Sequence, residues 1–361
     1  SFSSDVGVIR LNADRSNALN FNLNMNRPER YATNVDEDDL LMKGRLNDGD
    51  LYRWGTSEEG YGFSYKVIKE DKGVQYGSRI RVLLPKDGKL ASINDSTLAV
   101  KDATEAILLV SMATDYFGKD VENQLDSLLS QVERKSYEEL KNEHIIAYRQ
   151  LYSRADVNFG NNNARENMPM NKRLEAFQLD KNDPSLMALY FQFGRYLLIS
   201  STRPGSLPPN LQGLWCNTIR TPWNGDYHLN INLQMNLWPA EVTNLSELHL
   251  PLVEWTKQQV ESGKRTAQVF YNARGWVTHI LGNVWEFTAP GEHPSWGATN
   301  TSAAWLCEHL YTHYLYTKDR VYLADVYPVM REAALFFVDM LVEDPRSGYL
   351  VTAPTTSPEN T

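Results

Sequence analysis

Leu19, Phe21, Leu23 and Met25 alternate with Asn20, Asn22 and Asn24, a period of two that predicts a strand with one buried face. Val6, Val8 and Ile9 to Leu11 predict another just before it. Gly62 to Ile68, Gln75 to Leu84, Leu90 to Ile93 and Ala106 to Met112 extend the series. Turn sequences such as Asn47-Asp48-Gly49-Asp50 and Lys86-Asp87-Gly88 fall between them. Many short strands so spaced predict a β-sandwich over residues 1–118.

The period then changes. In 119–165 Ser136 and Glu139 match a capping box, and Leu140, His144, Tyr148, Leu151 and Tyr152 follow at helical spacing. His144 on that face reads as a buried structural histidine. Asn161-Asn162-Asn163 reads as a solvent loop. From 166 to 361 the pattern is helical. Asp183-Pro184 is an N-cap and first-turn pair opening a helix to about Ser201, and Arg203-Pro204-Gly205 stops it. Further helices are predicted at about 250–271, 302–317 and 319–342. Long loops rich in Trp, Asn and His join them, and loops that are not polar filler are usually functional. Helices joined in this way predict a helical barrel.

One stretch stands apart. Residues 203–241 hold three Trp, six Asn, two Gln, one His, one Asp and one Glu in 39 positions. Indole faces stack on the C–H faces of a pyranose, and amides and carboxylates pair with its hydroxyls. His228, Asn230 and Asn232, with Leu229 and Ile231 between them, would share one face of an extended segment. That row lines a pocket, or its amides satisfy backbone groups in a turn-rich segment. Trp296, between Pro294-Ser295 and Gly297, reads as a loop residue suited to stacking, with Glu286, Glu292 and His293 around it. Trp305, beside Leu306, Leu310 and Tyr314, reads as core. Glu359, in Ser357-Pro358-Glu359-Asn360, is a carboxyl group on a rigid loop, as a general acid requires, or a solvated tail acid.

Composition narrows the classes. The net charge of −9, without a dense Lys/Arg cluster, argues against nucleic acid as partner. No run of 18 apolar residues predicts a membrane span. Two cysteines, Cys216 and Cys307, make neither a disulfide framework nor a zinc site. His309 and His313 have zinc-helix spacing, but Leu310 follows His309 where His-Glu-x-x-His needs Glu. No metal and no cofactor is expected. The chain starts at Ser1 without Met, as an exported mature form or a fragment would.

Several motifs together resemble glycoside hydrolase family 95, the inverting α-L-fucosidases. They are Gly194-Arg195-Tyr196-Leu197-Leu198, Leu207-Pro208-Pro209-Asn210-Leu211-Gln212-Gly213-Leu214-Trp215, Asp226 to Asn236, Trp238-Pro239-Ala240-Glu241 and Ser357-Pro358-Glu359-Asn360. The resemblance implies an N-terminal β-sandwich, a helical linker and the first part of an (α/α)6 barrel. It implies Glu359 as general acid, with Asn232 and Asn230 positioning the attacking water. It implies His228 and Trp296 as substrate contacts. Terminal α-1,2-linked L-fucose, or L-galactose, on a glycan is the implied substrate, and the periplasm or cell exterior the implied location. The family's base-side aspartate follows later in the barrel than Thr361. A carbohydrate-binding protein without catalysis is the alternative.

Overall fold

The computed structural model describes residues 2–28, 30–46, 73–160, 163–218, 221–291, 293–354 and 356. The predicted strand Gly62 to Ile68 and the Asn47–Asp50 turn lie outside these residues. Two compact units divide the chain, Ser1–Arg149 and Gln150–Thr361.

The first unit begins with β1 (Gly7–Asn12), β2 (Leu19–Leu23), β3 (Tyr31–Asp36) and β4 (Asp39–Arg45). It continues with β5 (Gln75–Leu83), β6 (Lys89–Asn94), β7 (Thr97–Ala103) and β8 (Glu105–Thr114). The other predicted strands appear in place, and β3, β4 and β7 are additions. One antiparallel sheet has the order β1-β8-β5-β4-β3 and the other β2-β7-β6. Leu40, Ile80, Val82, Leu98, Val100 and Leu108 from both sheets form the core between them.

The outer face of the larger sheet is also covered. Helix α1 (Val121–Ser130) and helix α2 (Tyr137–Tyr152) follow β8. Ile107 and Leu109 pack with Leu129, Val132 and Leu140, while the intervening Leu108 faces the sandwich. A strand buried on both faces reads as an unbroken apolar run, as Ala106 to Val110 does. The capping box forms at α2: the Ser136 amide donates to Glu139 Oε2 at 2.7 Å, and the Glu139 amide donates to Ser136 Oγ at 3.3 Å. His144 is exposed, contrary to expectation. Its Nδ1 accepts from the Phe2 amide at 3.0 Å and its ring lies along Tyr148. A polar partner near the chain start holds it at the surface.

The second unit is helical. It contains α3 (Asn163–Glu166), α4 (Met170–Asp180) and α5 (Pro184–Ser201). Asn163 therefore starts a short helix, and Asn161 and Asn162 lie outside the described residues. Asp183 caps α5 through the Leu186 amide, and Arg173 grips the same carboxylate with two bonds of 2.8 Å. Buried Arg195 of α5 donates to the carbonyls of Leu151, Tyr152 and Ala155 and so gathers the chain entering this unit. After a loop come β9 (Tyr227–His228), α6 (Asn232–Val242), α7 (Leu250–Tyr271), β10 (Leu281–Gly282) and α8 (Pro294–Gly297). The long helices α9 (Ser302–Thr317) and α10 (Arg320–Met340) precede the hairpin of β11 (Leu341–Glu343) and β12 (Leu350–Thr352). Ala267, Val277, Phe336 and Met340 make the core between α7 and α10. The fold is an N-terminal β-sandwich followed by helices of a partial (α/α)6 barrel.

Candidate active site

The amide-rich stretch is a loop, a two-residue ladder, a turn and a helix. Tyr227 pairs with Gly282 and His228 with Leu281. Tyr227 anchors the ladder: its hydroxyl donates to the Pro208 carbonyl at 2.9 Å and its ring meets Trp255 edge-on. The chain then turns over 229–231, and Asn232 opens α6. The predicted extended row of His228, Asn230 and Asn232 is therefore corrected. Only His228 lies in a strand, and Leu229 and Ile231 do not share an apolar face. Leu229 is fully buried and Ile231 is exposed. The cause is local. The Leu229 amide donates to Ile280 at 2.7 Å and its carbonyl accepts from Gln234 Nε2 at 2.7 Å, which bends the chain into the helix. The three polar residues still come together, within one strand end, one turn and one helix start.

Two of them carry buried polar atoms without a hydrogen-bond partner, His228 Nε2 and Asn230 Oδ1. Such atoms cost about 1–3 kcal/mol each when buried and unmatched, so a polar ligand group or a water would stabilise them. Burial lowers the His228 pKa below the usual histidine value, which favours the neutral imidazole.

The loop before β9 adds aromatic surface. Trp215 and Trp223 on this loop, and Trp238 on α6, are all about half exposed or more. Trp223 and Asn224 both adopt left-handed backbone conformations, φ 48° and 57°. A non-glycine pair of this kind costs on the order of 1–3 kcal/mol per residue and concentrates at functional loops. Asn236 of α6 ties the loop down by donating to the Asn210 carbonyl at 3.0 Å.

Trp296 is half-buried and lies in the single turn of α8, where a loop was expected. His293 caps that turn through the Ser295 amide, and Pro294 starts it. A chain of close contacts ties this turn to the ladder. Leu281, the partner of His228, packs on Gly291, and the Gly291 carbonyl lies where a side chain on Gly297 would have to go. Just beyond Trp296, Thr299 Oγ1 lies 3.4 Å from Thr356 Oγ1, and Asn300 donates to the Pro354 carbonyl at 3.3 Å. The segment leading to Glu359 thus starts beside the Trp296 turn. Glu359 itself, with the rest of the Ser-Pro-Glu-Asn motif, lies outside the described residues, as does Glu292. Glu286 is exposed, Trp276 is core, and Trp305 is half-buried with Leu306 and Leu310 fully inside.

A second buried group escaped sequence reasoning. Glu241, at the far end of α6, accepts on Oε1 from His249 Nδ1 at 2.8 Å and from His313 Nδ1 at 2.6 Å. His249 Nε2 meets His309 Nδ1 at 3.0 Å, and Ser246 donates to Glu241 Oε2. Burial pushes the Glu241 carboxyl up, but hydrogen bonds from His249, His313 and Ser246 outweigh it and hold it at about 2. Burial, with His249 nearby, pushes His309 down to about 3. Glu241, His249 and His313 could hold a divalent ion, their donor atoms lying within 4.8 Å of one another. To do so they would have to give up the hydrogen bonds they now make. The expected signal was a metal motif on one helix, whereas these groups come from three places in the chain.

A cavity of about 580 Å³ opens in the first unit beside Lys43, Tyr76 and Lys119. Lys43 pairs with Glu122 there, and His228, Asn230, Asn232 and Trp296 do not line it. The amides, imidazole and indoles of the second unit are the better chemical candidate. Cys216 and Cys307 are both free thiols.

Residues 136–361 match the glycosyl hydrolase family 95 catalytic domain, and residues 1–119 match the N-terminal domain of glycosyl hydrolase family 65. The chain belongs to glycosyl hydrolase family 95. Among similar proteins, Alpha-L-fucosidase 2 of Arabidopsis thaliana is 32% identical over 373 aligned positions, covering 98% of this chain and 44% of the relative. Probable alpha-fucosidase A of Aspergillus niger is 34% identical, covering 85% of this chain and 40% of the relative. The chain thus spans less than half the length of these relatives. Among solved structures, a putative kojibiose phosphorylase from human microbiome superposes with a TM-score of 0.54 at 13% identity, covering 89% of this chain and 41% of that one. That likeness supports the fold. Among the described residues no helix is long and apolar enough to cross a membrane.

Proposed function

We propose that this chain supplies the acid side and the water-positioning amides of a glycoside hydrolase that releases terminal α-1,2-linked L-fucose, or L-galactose, with inversion. The observation that carries the reading is the pair of buried polar atoms without a partner, His228 Nε2 and Asn230 Oδ1, at the turn that leads into Asn232. The alpha-fucosidase names of the relatives point the same way.

In this reading Glu359 donates its proton to the glycosidic oxygen as the bond to the anomeric carbon breaks. Asn232 and Asn230 hold a water on the opposite face of the ring, and its oxygen attacks the anomeric carbon. Inverting hydrolysis places the acid and the water-activating group roughly 6.5–9.5 Å apart. An amide is too weak a base to take the water's proton alone, so the reading requires a carboxylate behind the asparagines. Trp296 stacks on the sugar, and His228 accepts from one of its hydroxyls.

The test uses the full-length protein and 2′-fucosyllactose. Release of L-fucose, seen first as the inverted anomer by NMR, is expected. Glu359→Ala is expected to keep sugar binding and lose roughly 10²–10⁴ in rate. Undiminished hydrolysis by that variant overturns the assignment.

A further inference from the structure

Gln234 lies two residues past Asn232 on α6 and is fully buried. Its Nε2 donates to the Leu229 carbonyl at 2.7 Å. A carbonyl only accepts, so the amide nitrogen must face it and Oε1 must face away. That Oε1 is buried with no partner of its own. The amide of Leu229 is held from another direction, by the Ile280 carbonyl at 2.7 Å.

Leu229 stands between His228 and Asn230. Its carbonyl belongs to the same peptide plane as the Asn230 amide, so a bond that fixes one fixes the other. The Ile280 bond fixes the plane on the His228 side in the same way. Both planes that aim the two polar side chains are therefore set by groups outside the turn. A buried, polar helix position would otherwise be filled by an apolar residue, since half of the Gln234 amide remains unmatched.

We propose that Gln234 is a positioning residue that sets the direction of Asn230 and His228 through the Leu229 carbonyl. The proposal rests on the hydrolytic reading given above. Gln234→Met keeps the volume and removes the donor. Gln234→Glu keeps the shape but donates only when its carboxyl is protonated.

The experiment measures kcat and KM of both variants in the full-length protein with 2′-fucosyllactose from pH 4 to 8. Gln234→Met is expected to lose roughly 10–100-fold in kcat, as a displaced catalytic group does, with KM within about threefold. The kcat of Gln234→Glu relative to the unmodified protein is expected to rise steadily as the pH falls. A purely structural role would lower the melting temperature and leave that ratio flat. A flat ratio, or Gln234→Met within about twofold of the unmodified kcat, overturns the proposal. If Gln234→Met does not fold, the ratio for Gln234→Glu decides. Asn230→Ala and Asn232→Ala run alongside: full turnover in both removes the water-positioning role of these amides, on which the proposal rests. Loss in both with no effect at Gln234 removes only the positioning role.

Discussion

Glu241 on α6 and His313 on α9, 72 positions apart in sequence, meet through a single hydrogen bond of 2.6 Å. The same carboxylate oxygen takes His249, and both groups are buried. Three stretches of the second unit are fastened at this point. Glu241→Gln removes the charge and turns one carboxylate oxygen into an amide N–H, facing either the two imidazole donors or the Ser246 hydroxyl. Breaking a buried pair leaves unmatched groups behind, so a loss of roughly 2–4 kcal/mol is expected. Urea unfolding at pH 7 measures it, and a change below about 0.5 kcal/mol would show that the cluster does not hold the helices.

The same cluster makes stability depend on acid. Glu241 is held at about 2 against an ordinary 4.5, so its contribution is complete above pH 4.5 and is lost as the pH falls towards 2. His309 is held at about 3 against 6.5, so the unfolded chain takes up its proton first and stability falls from pH 6.5 towards 3. Both act in one direction. The melting temperature is expected to drop continuously below pH 6.5, and His309→Gln should flatten the portion between 6.5 and 4.5. An unchanged slope in that variant would remove His309 from the account.

Asp183 has two tasks, capping α5 and neutralising buried Arg173. Its pKa is held well below the carboxylate range, first by the Arg173 hydrogen bond and against the opposing effect of burial. Asp183→Ala removes cap and charge together and is expected to cost about 3–5 kcal/mol. Asp183→Asn keeps a capping oxygen and should cost less. Equal losses in thermal or urea unfolding would assign the whole effect to the ion pair.

Gly297 follows Trp296, and a Cβ there would lie 1.6 Å from the Gly291 carbonyl oxygen. Backbone cannot move aside as a flexible side chain does. Gly297→Ala is expected to destabilise by roughly 1–3 kcal/mol and, because Trp296 rides on the same turn, to weaken binding of L-fucose. Calorimetric titration and thermal unfolding separate the two effects. Unchanged affinity would detach Trp296 from the sugar site.

How far the sequence disclosed this molecule depended on how strictly each element followed one period. Leu19 to Leu23 and Gln75 to Leu83 show their alternation, and Asp183-Pro184 announces α5. Helix α6 does not announce itself. It buries Gln234 and Glu241 beside Leu233, Leu237 and Ala240, and it contains Pro239, so hydropathy and helix preference both misdirect. Edge strand β3 carries little apolar signal, and β7 includes Lys101 and the left-handed Asp102. The candidate residues His228, Asn230 and Asn232 stood out as a group in the sequence because amides and imidazole so concentrated have few structural uses. Their true geometry was not, because a hydrogen bond from Gln234 decides it. The Glu241 cluster was invisible, since its members meet only through tertiary packing.

The two thiols differ in a useful way. Cys216 is exposed on the aromatic loop, whereas burial raises Cys307 to about 12 and leaves it unreactive at neutral pH. Of these two thiols, a maleimide dye should therefore favour Cys216, seven residues before Trp223. The unmodified protein carries its own attachment point for an optical reporter on that loop, with no residue replaced to create it.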